Sequence, residues 1–577
     1  MKKTKIVATI GPSSESEEVL RSLFLEGVNV ARLNFSHGSH EGHKIKIDRI
    51  KKIRKELDLP IGIMLDTKGP EIRLGDVEGE IFLEVGENFT LTSREIVGDK
   101  NIATISYKEL YNDVEVGGKI LIDDGLVELK VVSIVDEDIV TEVLNSGYIS
   151  SHKGVNVPGA NLNLPALTKR DVEDIKFGVK EDVDFIAASF VRSKEDVLKI
   201  RKVLEEERDY TTKIISKIES QGAVDLIDEI IEVSDGIMVA RGDLGVEIET
   251  EKVPIVQKEI IKKCNISGKT VITATQMLDS MIRNPRPTRA ETNDVANAVL
   301  DGTSAVMLSG ETASGKYPLE SVITMRKILE YTENTIDHDE ILKNIIKVVE
   351  NSMTNSIGRS ACVIARDLDA KAIITATTSG NTSRAIAKFR PVTPIIASTP
   401  FEKIKNQLSI VWGINPIKVL NFKDTDNLID ASMEASVKKR YLKSGDLVVL
   451  TAGVPTGIAG STNLLKIENV SEILGRGTSI GKKKKKARAI VVNSIKDLEG
   501  NFETKDIIVC KSTNEKMIPF MERSSGFVTE EAGFTSNGAV SAISLDKMAI
   551  VGVKDITAKI KTGDIITIDG IDGTVRR

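Results

Sequence analysis

The chain has 577 residues, 41% of them hydrophobic and 28% charged, which predicts about three or four globular domains at roughly 100–200 residues each and excludes a disordered or fibrous protein. Its net charge of −6 argues against a general nucleic-acid binder. Three widely spaced cysteines cannot build a disulfide framework and no apolar run approaches the ~20 residues of a membrane span, so we expect a reducing, cytoplasmic compartment.

Short β-branched runs alternate with stretches of helical period through residue 310. The first lies in MKKTKIVATIGPSS, whose apolar run stops at Gly-Pro and is too short for a signal peptide. Alternating strands and helices form parallel βαβ units, and eight of them close a TIM (β/α)8 barrel. We predict the strands at Lys5–Ile10, Asn29–Phe35, Ile61–Leu65, Asp184–Ser189, Lys213–Ile218, Gly236–Ala240, Thr270–Ala274 and Ala305–Leu308.

The third and fourth strands are separated by a segment with hairpin-like alternation and little helical periodicity. We therefore predict a barrel of residues 1–69 and 166–339 that carries an inserted all-β domain, residues 70–165, in one of its loops. Residues 340–473 alternate again and predict an α/β domain with the strands KAIITAT, PIIAST, SIVWGI and DLVVLTAG.

Residues 474–488 have the sequence LGRGTSIGKKKKKAR. The first half of this segment is rich in glycine, and the second half is strongly basic. Its GxGxxxG spacing lacks the strand before and the helix after that a dinucleotide site needs. We predict an interdomain linker there, with a contact to a polyanion as the alternative, and a last domain at 489–577.

Polar residues follow nearly every predicted barrel strand, at the rim where such barrels carry their functional groups. Strand alternation places Lys217 and Glu219 on one face of the fifth strand and does the same for Arg32, Asn34 and Ser36 on the second. The remaining strand ends carry Asp66-Thr67-Lys68, Ser189, Arg241-Gly242-Asp243, Thr275 and Ser309-Gly310-Glu311. This pattern predicts an anion-binding metal site at the rim.

Glu219 and Asp243 are carboxylates on adjacent strands, enough for Mg²⁺ or Mn²⁺ with substrate and water as further ligands. The alternative is two ion pairs with Lys217 and Arg241. Positive charge suited to phosphate and carboxylate groups is available from Arg32, Arg73, Lys153 and Lys217. Oxygens suited to a monovalent cation are available from Asn34, Ser36, Asp66 and Thr67. The spacing of His37, His40 and His43 spreads them around a helix and disfavours zinc.

In this order the motifs resemble those of the pyruvate kinase family. The similar stretches are KTKIVATIGPSS, NVARLNFSHGSH, LDTKGPEIR, GVNVPG, FIAASFVR, KIES, MVARGDLGVE, ITATQMLDSM and NPRPTRAETNDVANAVLDGTSAVMLSGETASGKYP. The resemblance implies phosphoryl transfer from phosphoenolpyruvate to ADP, giving ATP and pyruvate in the last step of glycolysis, with Mg²⁺ and K⁺ as cofactors. It also implies a homotetramer and an inserted domain that closes over the rim as a nucleotide-carrying lid.

The resemblance assigns roles by motif, with Arg32, Lys217 and Thr275 as the catalytic set. It implies Mg²⁺ at Glu219 and Asp243, and K⁺ at Asn34, Ser36, Asp66 and Thr67, with Glu71 as in the potassium-requiring members. Substrate contacts would come from Arg32, Lys217, Arg241, Gly242, Asp243 and Thr275, and nucleotide contacts from Asn34, His37, Arg73 and Lys153. The proton for enolpyruvate would come from a water near Thr275, with Lys217 as the alternative.

The segment TTSGNTSRAIAKFRP follows a predicted strand and opens a helix, an arrangement that binds phosphate, although an ordinary capped helix is the alternative. The resemblance favours a phosphorylated effector at Thr377, Thr378, Ser379, Gly380, Asn381 and Thr382. The nearby loop TAGVPTG, residues 451–457, lacks the Trp and Arg of relatives that respond to fructose bisphosphate. We therefore expect a sugar monophosphate or AMP.

Residues from about 475 resemble the phosphohistidine domain of synthases and dikinases that use phosphoenolpyruvate. In the similar stretch GFTSNGAVSAIS, Asn537 stands where those carriers have the phosphorylated histidine. An amide lacks a comparable nucleophilic nitrogen, so we predict a structural or regulatory domain. Two alternatives to the kinase are a catalytically retired metabolite-binding barrel and a mutase or aldolase, which would have no use for a nucleotide lid.

Overall fold

A computed structural model of the protein describes residues 2–160, 162–420, 425–453 and 462–577. These residues form two compact units, one containing residues up to 435 together with 449–466, and the other containing 436–448 and 467–577. Within the described ranges, no helix combines the length and apolar character required to cross a membrane.

The chain begins with three parallel strands and the helices between them. They are β1 (Lys5–Thr9), α1 (Glu17–Leu25), β2 (Val30–Asn34), α2 (His40–Glu56) and β3 (Gly62–Asp66). The hydroxyl of Ser16 caps α1 by accepting from Val19 N, and the hydroxyl of Ser39 caps α2 by accepting from Gly42 N. These caps satisfy amide groups that lack partners in the first helical turn, so each helix starts at a defined residue after its strand.

An insertion made almost entirely of strands follows β3. Its elements are β4 (Ile72–Arg73), β5 (Ile81–Leu83), β6 (Asn88–Thr92), β7 (Ile102–Thr104), α3 (Leu110–Asp113), β8 (Lys119–Ile122), β9 (Val127–Val135), β10 (Asp138–Val143), β11 (Gly147–Ile149) and β12 (Gly154–Asn156). Seven strands form a sheet in the order β4-β12-β8-β9-β10-β6-β7, and β11 pairs with β5. Phe89, Ile120 and Leu129 are buried in a core of its own, as expected for an inserted domain.

The chain then returns to the barrel. The elements are α4 (Lys169–Lys180), β13 (Phe185–Ala188), α5 (Lys194–Glu206), β14 (Lys213–Ile218), α6 (Gln221–Asp225), α7 (Ile227–Val233), β15 (Gly236–Ala240), α8 (Arg241–Glu247), α9 (Val253–Ser267), β16 (Thr270–Ala274), α10 (Arg289–Leu300), β17 (Ala305–Leu308), α11 (Gly310–Ala313) and α12 (Pro318–Glu333). The strands close in the order β1-β17-β16-β15-β14-β13-β3-β2. The predicted eight-stranded barrel is confirmed, and its strand bounds agree to within one residue.

A second α/β layer follows the barrel. Its elements are α13 (His338–Val348), α14 (Met353–Asp367), β18 (Ala372–Ala376), α15 (Asn381–Ala387), β19 (Ile395–Thr399), α16 (Glu402–Gln407), β20 (Ile414–Lys418), α17 (Thr425–Lys438), β21 (Leu447–Gly453) and β22 (Thr462–Asn469). The sheet order is β20-β19-β18-β21-β22. The predicted domain boundary at 339/340 falls inside α13, because the Asp337 carboxylate accepts from Asp339 N and Glu340 N and starts a helix there.

The predicted strand SIVWGI is wrong. Leu408–Ile410 form a 3-10 turn, and the strand β20 begins only at the last residue of that run. Ser409 Oγ donates to Asn406 O at 2.6 Å and to the barrel carbonyl Asn29 O at 3.0 Å, which holds the segment in a turn. A short buried apolar run fits either conformation, so its sequence did not distinguish them.

The last unit contains an eight-stranded sheet with short helices. Its elements are β23 (Ile473–Arg476), β24 (Thr478–Ile480), β25 (Lys484–Val492), α18 (Ile495–Asn501), β26 (Ile507–Cys510), α19 (Ile518–Arg523), β27 (Gly526–Thr529), α20 (Asn537–Ser544), β28 (Ala549–Val551), α21 (Ile556–Lys559), β29 (Ile565–Asp569) and β30 (Thr574–Arg576). The order is β23-β30-β29-β25-β26-β27-β28-β24.

The predicted linker at 474–488 is also wrong, because this segment supplies three strands of the sheet. The lysine run enters β25, where Lys484–Lys486 pair antiparallel with Thr567–Asp569. Backbone hydrogen bonds make this ladder, and the lysine side chains need only remain accessible to water, so a basic run is compatible with a strand.

Candidate active site

A row of alternating charges lies across the rim at the carboxyl ends of β2, β3 and β14. Arg32 Nε donates to Asp66 Oδ2 at 2.6 Å. Lys217 Nζ lies 3.4 Å from Asp66 Oδ1 and 2.7 Å from Glu219 Oε1. All four residues are at most 9% exposed. The fold thus brings these predicted residues into direct contact.

Two residues after β13 hold this row in place. Ser189 Oγ accepts from Lys217 Nζ at 2.8 Å and donates to Thr67 O at 2.7 Å. Phe190 N donates to Glu219 Oε2 at 2.6 Å, and Phe190 has a φ of 53°. The sequence marked Ser189 only as a strand end. Phe190 acts through its backbone, which no side-chain pattern reveals.

The charges of the row reinforce one another. Burial alone lowers the pKa of Lys217, but the charges of Asp66 and Glu219 outweigh it and raise that pKa above its ordinary value. Burial alone raises the pKa of Asp66, but Arg32 and Lys217 outweigh it and lower that pKa. The ammonium, guanidinium and Asp66 carboxylate are therefore held as fixed charges where water is largely excluded.

Glu219 is the member of the row with spare coordination capacity. Burial raises its pKa, the Asp243 charge adds to that rise, and Lys217 opposes it. Its Oε1 is buried, and the contact it makes is the 2.7 Å ion pair with Lys217, which leaves a lone pair for a metal ion. Among the described residues no three His, Cys, Asp or Glu side chains converge as a metal cage. Glu219 with Asp243, in the first turn of α8, fits a divalent ion that takes few protein ligands.

The predicted monovalent-cation residues gather beside this row. Asn34 and Asp66 are register partners on the neighbouring strands β2 and β3. Asn34 Oδ1 accepts from Ser36 N at 3.1 Å, and Thr67 follows Asp66 directly. One carboxylate among neutral oxygens is a donor set that fits a monovalent ion better than a divalent one.

The ends of β15 and β16 contribute a second cluster. Arg241 Nη1 lies 2.7 Å from Asp294 Oδ2, and its Nη2 donates to Thr275 O at 2.7 Å, so its side chain braces the rim. Gly242 N donates to Thr275 Oγ1 at 2.8 Å. Thr275 and Gln276 have φ values of 65° and 54°. Two successive left-handed residues, one of them β-branched, store strain at this point of the rim.

Residues of the inserted domain approach the same rim. Arg73 Nε donates to Glu71 Oε2 at 2.8 Å, and Lys153 Nζ donates to Asp123 Oδ2 at 2.6 Å. Asn156 Nδ2 donates to Glu247 Oε1 of the barrel at 3.0 Å, and burial together with the Asp243 charge raises the pKa of Asp124. The sequence did not single out Asp124, because its turn is remote from the rim along the chain.

The histidines have separate partners. His40 Nε2 lies 2.6 Å from Asp174 Oδ1, and His43 stacks on Phe35 with ring centroids 3.9 Å apart. His37 is exposed next to Asn34, and its carbonyl oxygen accepts from His43 Nε2 at 2.8 Å. Of these three described histidines, His37 is therefore the one whose side chain is available to a ligand at the rim.

The predicted effector loop joins β18 to α15. Gly380, with a φ of 83°, donates its N–H to Thr377 Oγ1 at 2.8 Å. Asn381 N donates to Ser379 Oγ at 3.4 Å, and Thr378 lies between Thr377 and Ser379 in the chain. The hydroxyls of Thr382 and Thr462 share a hydrogen bond of 2.8 Å. Residues 454–457 of the second predicted loop lie outside the described residues.

Three family models match the chain. "Pyruvate kinase, barrel domain" matches residues 1–322, "Pyruvate kinase, alpha/beta domain" matches 355–468, and "PEP-utilising enzyme, mobile domain" matches 502–573. A pyruvate kinase of Staphylococcus epidermidis is 50% identical over 100% of this chain and 99% of its own. That of Staphylococcus aureus is 49% identical over the same shares. The crystal structure of a pyruvate kinase from Cryptosporidium parvum, 41% identical, superposes with a TM-score of 0.78 over 81% of this chain and 96% of its own.

Proposed function

Since the chain belongs to the pyruvate kinase family and is therefore a phosphotransferase acting on phosphoenolpyruvate and ADP, we propose that the buried row Arg32–Asp66–Lys217–Glu219 is its catalytic centre. The observation that carries this proposal is the convergence of two fixed cations and two carboxylates within 3.4 Å of their neighbours at the barrel rim. Phosphoryl transfer depends on positioning and charge stabilisation, which such a row supplies.

Arg32 binds the transferring phosphoryl group, and Lys217 neutralises charge on the phosphoryl and enolate oxygens. The bond from phosphorus to the enol oxygen breaks as an oxygen of the ADP β-phosphate bonds to phosphorus, which leaves enolpyruvate. The N-terminal amides of α8 at Arg241, Gly242 and Asp243, together with Thr275, bind the substrate carboxylate. The Arg241 side chain supports this turn through its contact with Asp294.

Glu219 and Asp243 hold Mg²⁺, or Mn²⁺ in its place. The ion would neutralise phosphoryl and carboxylate oxygens when bound. The buried Oε1 of Glu219, whose one ion-pair contact is Lys217, and the position of Asp243 in the first turn of α8 support this assignment. Asn34, Ser36, Asp66 and Thr67 hold K⁺, and their mixture of neutral oxygens with one carboxylate supports that assignment.

Enolpyruvate then takes a proton at its methylene carbon. We favour a water held near Thr275, with Lys217 as the alternative donor. The Lys217 ammonium is already bound by Ser189 and Glu219, which leaves it poorly placed to move a proton.

The nucleotide binds beneath the inserted domain, with Arg73 and Lys153 on the lid side and Asn34 and His37 on the barrel side. Closure of the lid excludes water from the transferring group. Arg73 and Lys153 have acidic partners in Glu71 and Asp123, so they would exchange these for nucleotide phosphates.

The loop of residues 377–382 binds a phosphorylated effector, which is a sugar monophosphate or AMP. The protein is a cytoplasmic homotetramer, and binding of the effector shifts the contacts between its subunits. Its backbone turn at Gly380 and its hydroxyl groups support phosphate binding. The last domain has a structural or regulatory role, because Asn537 occupies the first position of α20 without a nucleophilic nitrogen.

A coupled assay with lactate dehydrogenase tests the proposal, using phosphoenolpyruvate, ADP and Mg²⁺ with either K⁺ or Na⁺. We expect pyruvate formation that requires the divalent ion and is much faster in K⁺. Folded protein that forms no pyruvate with both cations would overturn the assignment as a working kinase. Equal rates in K⁺ and Na⁺ would remove only the potassium site. An effector panel in the same assay tests residues 377–382.

A further inference from the structure

A single buried carboxylate joins the two chain crossings between the barrel and its inserted domain. Asp171 Oδ1 accepts from Gly69 N at 3.0 Å, where the chain leaves β3 for the insertion. Asp171 Oδ2 accepts from Thr168 N at 2.9 Å and from Thr168 Oγ1 at 2.6 Å, where the chain returns to α4. Asp171 has no exposed surface.

The outgoing crossing also packs directly on the residues that hold the catalytic row. Gly69 has a φ of 75°, and a Cβ added there would lie 2.7 Å from the Phe190 ring and 2.9 Å from Ser189 Cβ. Ser189 Oγ holds Lys217, and Phe190 N holds Glu219. A displacement of Gly69 would therefore be transmitted through one layer of atoms to both Lys217 and Glu219.

We propose that Asp171 is a positioning residue that fixes the lid hinge against Ser189 and Phe190 and thereby sets the geometry of Lys217 and Glu219. The proposal rests on the proposed roles of Lys217 and Glu219 in catalysis. The alternative is that Asp171 serves only to cap α4. It forms a capping box with Thr168, whose Oγ1 accepts from Asp171 N at 3.1 Å.

Two variants separate the clamp from the cap. Asp171→Asn keeps one acceptor oxygen, which can serve Gly69 or Thr168 but not both. Thr168→Ala removes the hydroxyl of the cap and leaves the bond to Gly69 in place. We expect Asp171→Asn to lower kcat by about tenfold or more, as sub-ångström misplacement of catalytic groups does, with Thr168→Ala within about twofold of wild type. Asp497→Asn, the same change in the capping box of α18, controls for a generic capping defect.

Hydrogen exchange of the full-length protein gives a readout independent of activity. Asp171→Asn should speed exchange in peptides covering 67–73 and 187–192, whereas Thr168→Ala should affect only the start of α4. Equal kcat values for the two variants, with unchanged exchange at 187–192, would overturn the proposal. If Lys217→Met retained full turnover while the exchange pattern held, the proposed catalytic roles would fail and the clamp would stand.

A glycine pair provides a second test should Asp171→Asn fail to fold. Gly69 and Gly79 have the same φ of 75°, but no atom lies within 4 Å of an added Cβ at Gly79. Both alanine variants place a Cβ on a residue with the same left-handed φ, and only Gly69→Ala presses on Ser189 and Phe190. We expect kcat to fall at least fivefold further in Gly69→Ala than in Gly79→Ala. A displacement of the catalytic groups by about 1 Å can lower the rate by about 100-fold, so a smaller shift is enough for this difference. Equal kcat values in the two glycine variants would contradict the claim that a displacement at the hinge reaches the catalytic row.

Discussion

Lys217→Met removes the central cation of the buried row and keeps most of its aliphatic volume. At an effective dielectric constant of about 20, unit charges separated by the observed 2.7 and 3.4 Å interact by roughly 6 and 5 kcal/mol. Desolvation offsets much of this, and removal of one partner of a buried pair costs about 3–5 kcal/mol. We expect the free energy of unfolding to fall by about 3 kcal/mol, measured by urea denaturation without metal.

The kcat of Lys217→Met should fall by more than its loss of stability can account for, because Lys217 faces negative charge that develops during phosphoryl transfer. Loss of one such group lowers kcat by about 100-fold or more. The lactate-dehydrogenase-coupled assay measures kcat, and Mn²⁺ titration should show largely intact metal binding because Glu219 and Asp243 remain. Turnover near the wild-type rate would refute the role given to Lys217.

Lys5→Met is a matched control at the opposite end of the barrel. Lys5 is 4% exposed and its Nζ donates to Ile414 O at 2.6 Å, and burial lowers its pKa to about 8. This variant also loses a buried ammonium of the barrel but leaves the catalytic row intact, so it tests whether the loss of any buried lysine lowers turnover. Its kcat should match that of the wild type.

Three further predictions concern Asp235, the metal ligand Glu219 and the last domain. Despite burial, Lys213 and Arg201 lower the pKa of Asp235 to about 2, so Asp235→Asn should reduce the free energy of unfolding by about 2 kcal/mol at pH 7. This difference should shrink as pH falls from about 4 towards 2, where the native carboxylate gains its proton, as urea titrations would show. Glu219→Gln should weaken Mn²⁺ binding at least tenfold, measured by electron paramagnetic resonance, since loss of even an outer-shell partner costs about 10–100-fold; unchanged affinity would contradict the metal assignment. Intact mass after incubation with phosphoenolpyruvate should show no phosphoryl group on Asn537, and a stable adduct there would contradict its inert role.

The barrel was predictable because its strands are buried on both faces and therefore appear in sequence as unbroken apolar runs ending in polar residues. The convergence of Arg32, Asp66, Lys217 and Glu219 followed from the same rule. The contact between Ser189 and Lys217 was not predicted from the sequence. It follows from the strand order, because β13 lies between β3 and β14 and brings Ser189 to Lys217.

The errors have equally local causes. The apolar run at 409–414 was predicted as a strand because no local signal distinguishes a buried turn from a strand. The lysine run at 482–486 was predicted as a linker because charge reports solvent contact and not backbone pairing. The Thr168–Asp171 contact has the spacing of a capping box, but the contacts of Asp171 with Gly69 and of Arg241 with Asp294 join segments far apart in sequence, so no spacing rule could have found them.

Arg32 shows what the buried row means for ligand capture. Its guanidinium is fixed before any ligand arrives, by Asp66 through Nε and by Thr9 Oγ1, which accepts from Nη1 at 2.9 Å. An arginine free in solvent carries about 2 kcal/mol of rotamer entropy that a ligand must remove on binding. Here folding has already removed it, so a phosphate meets a preordered donor, and the gain should appear as slower dissociation rather than faster association.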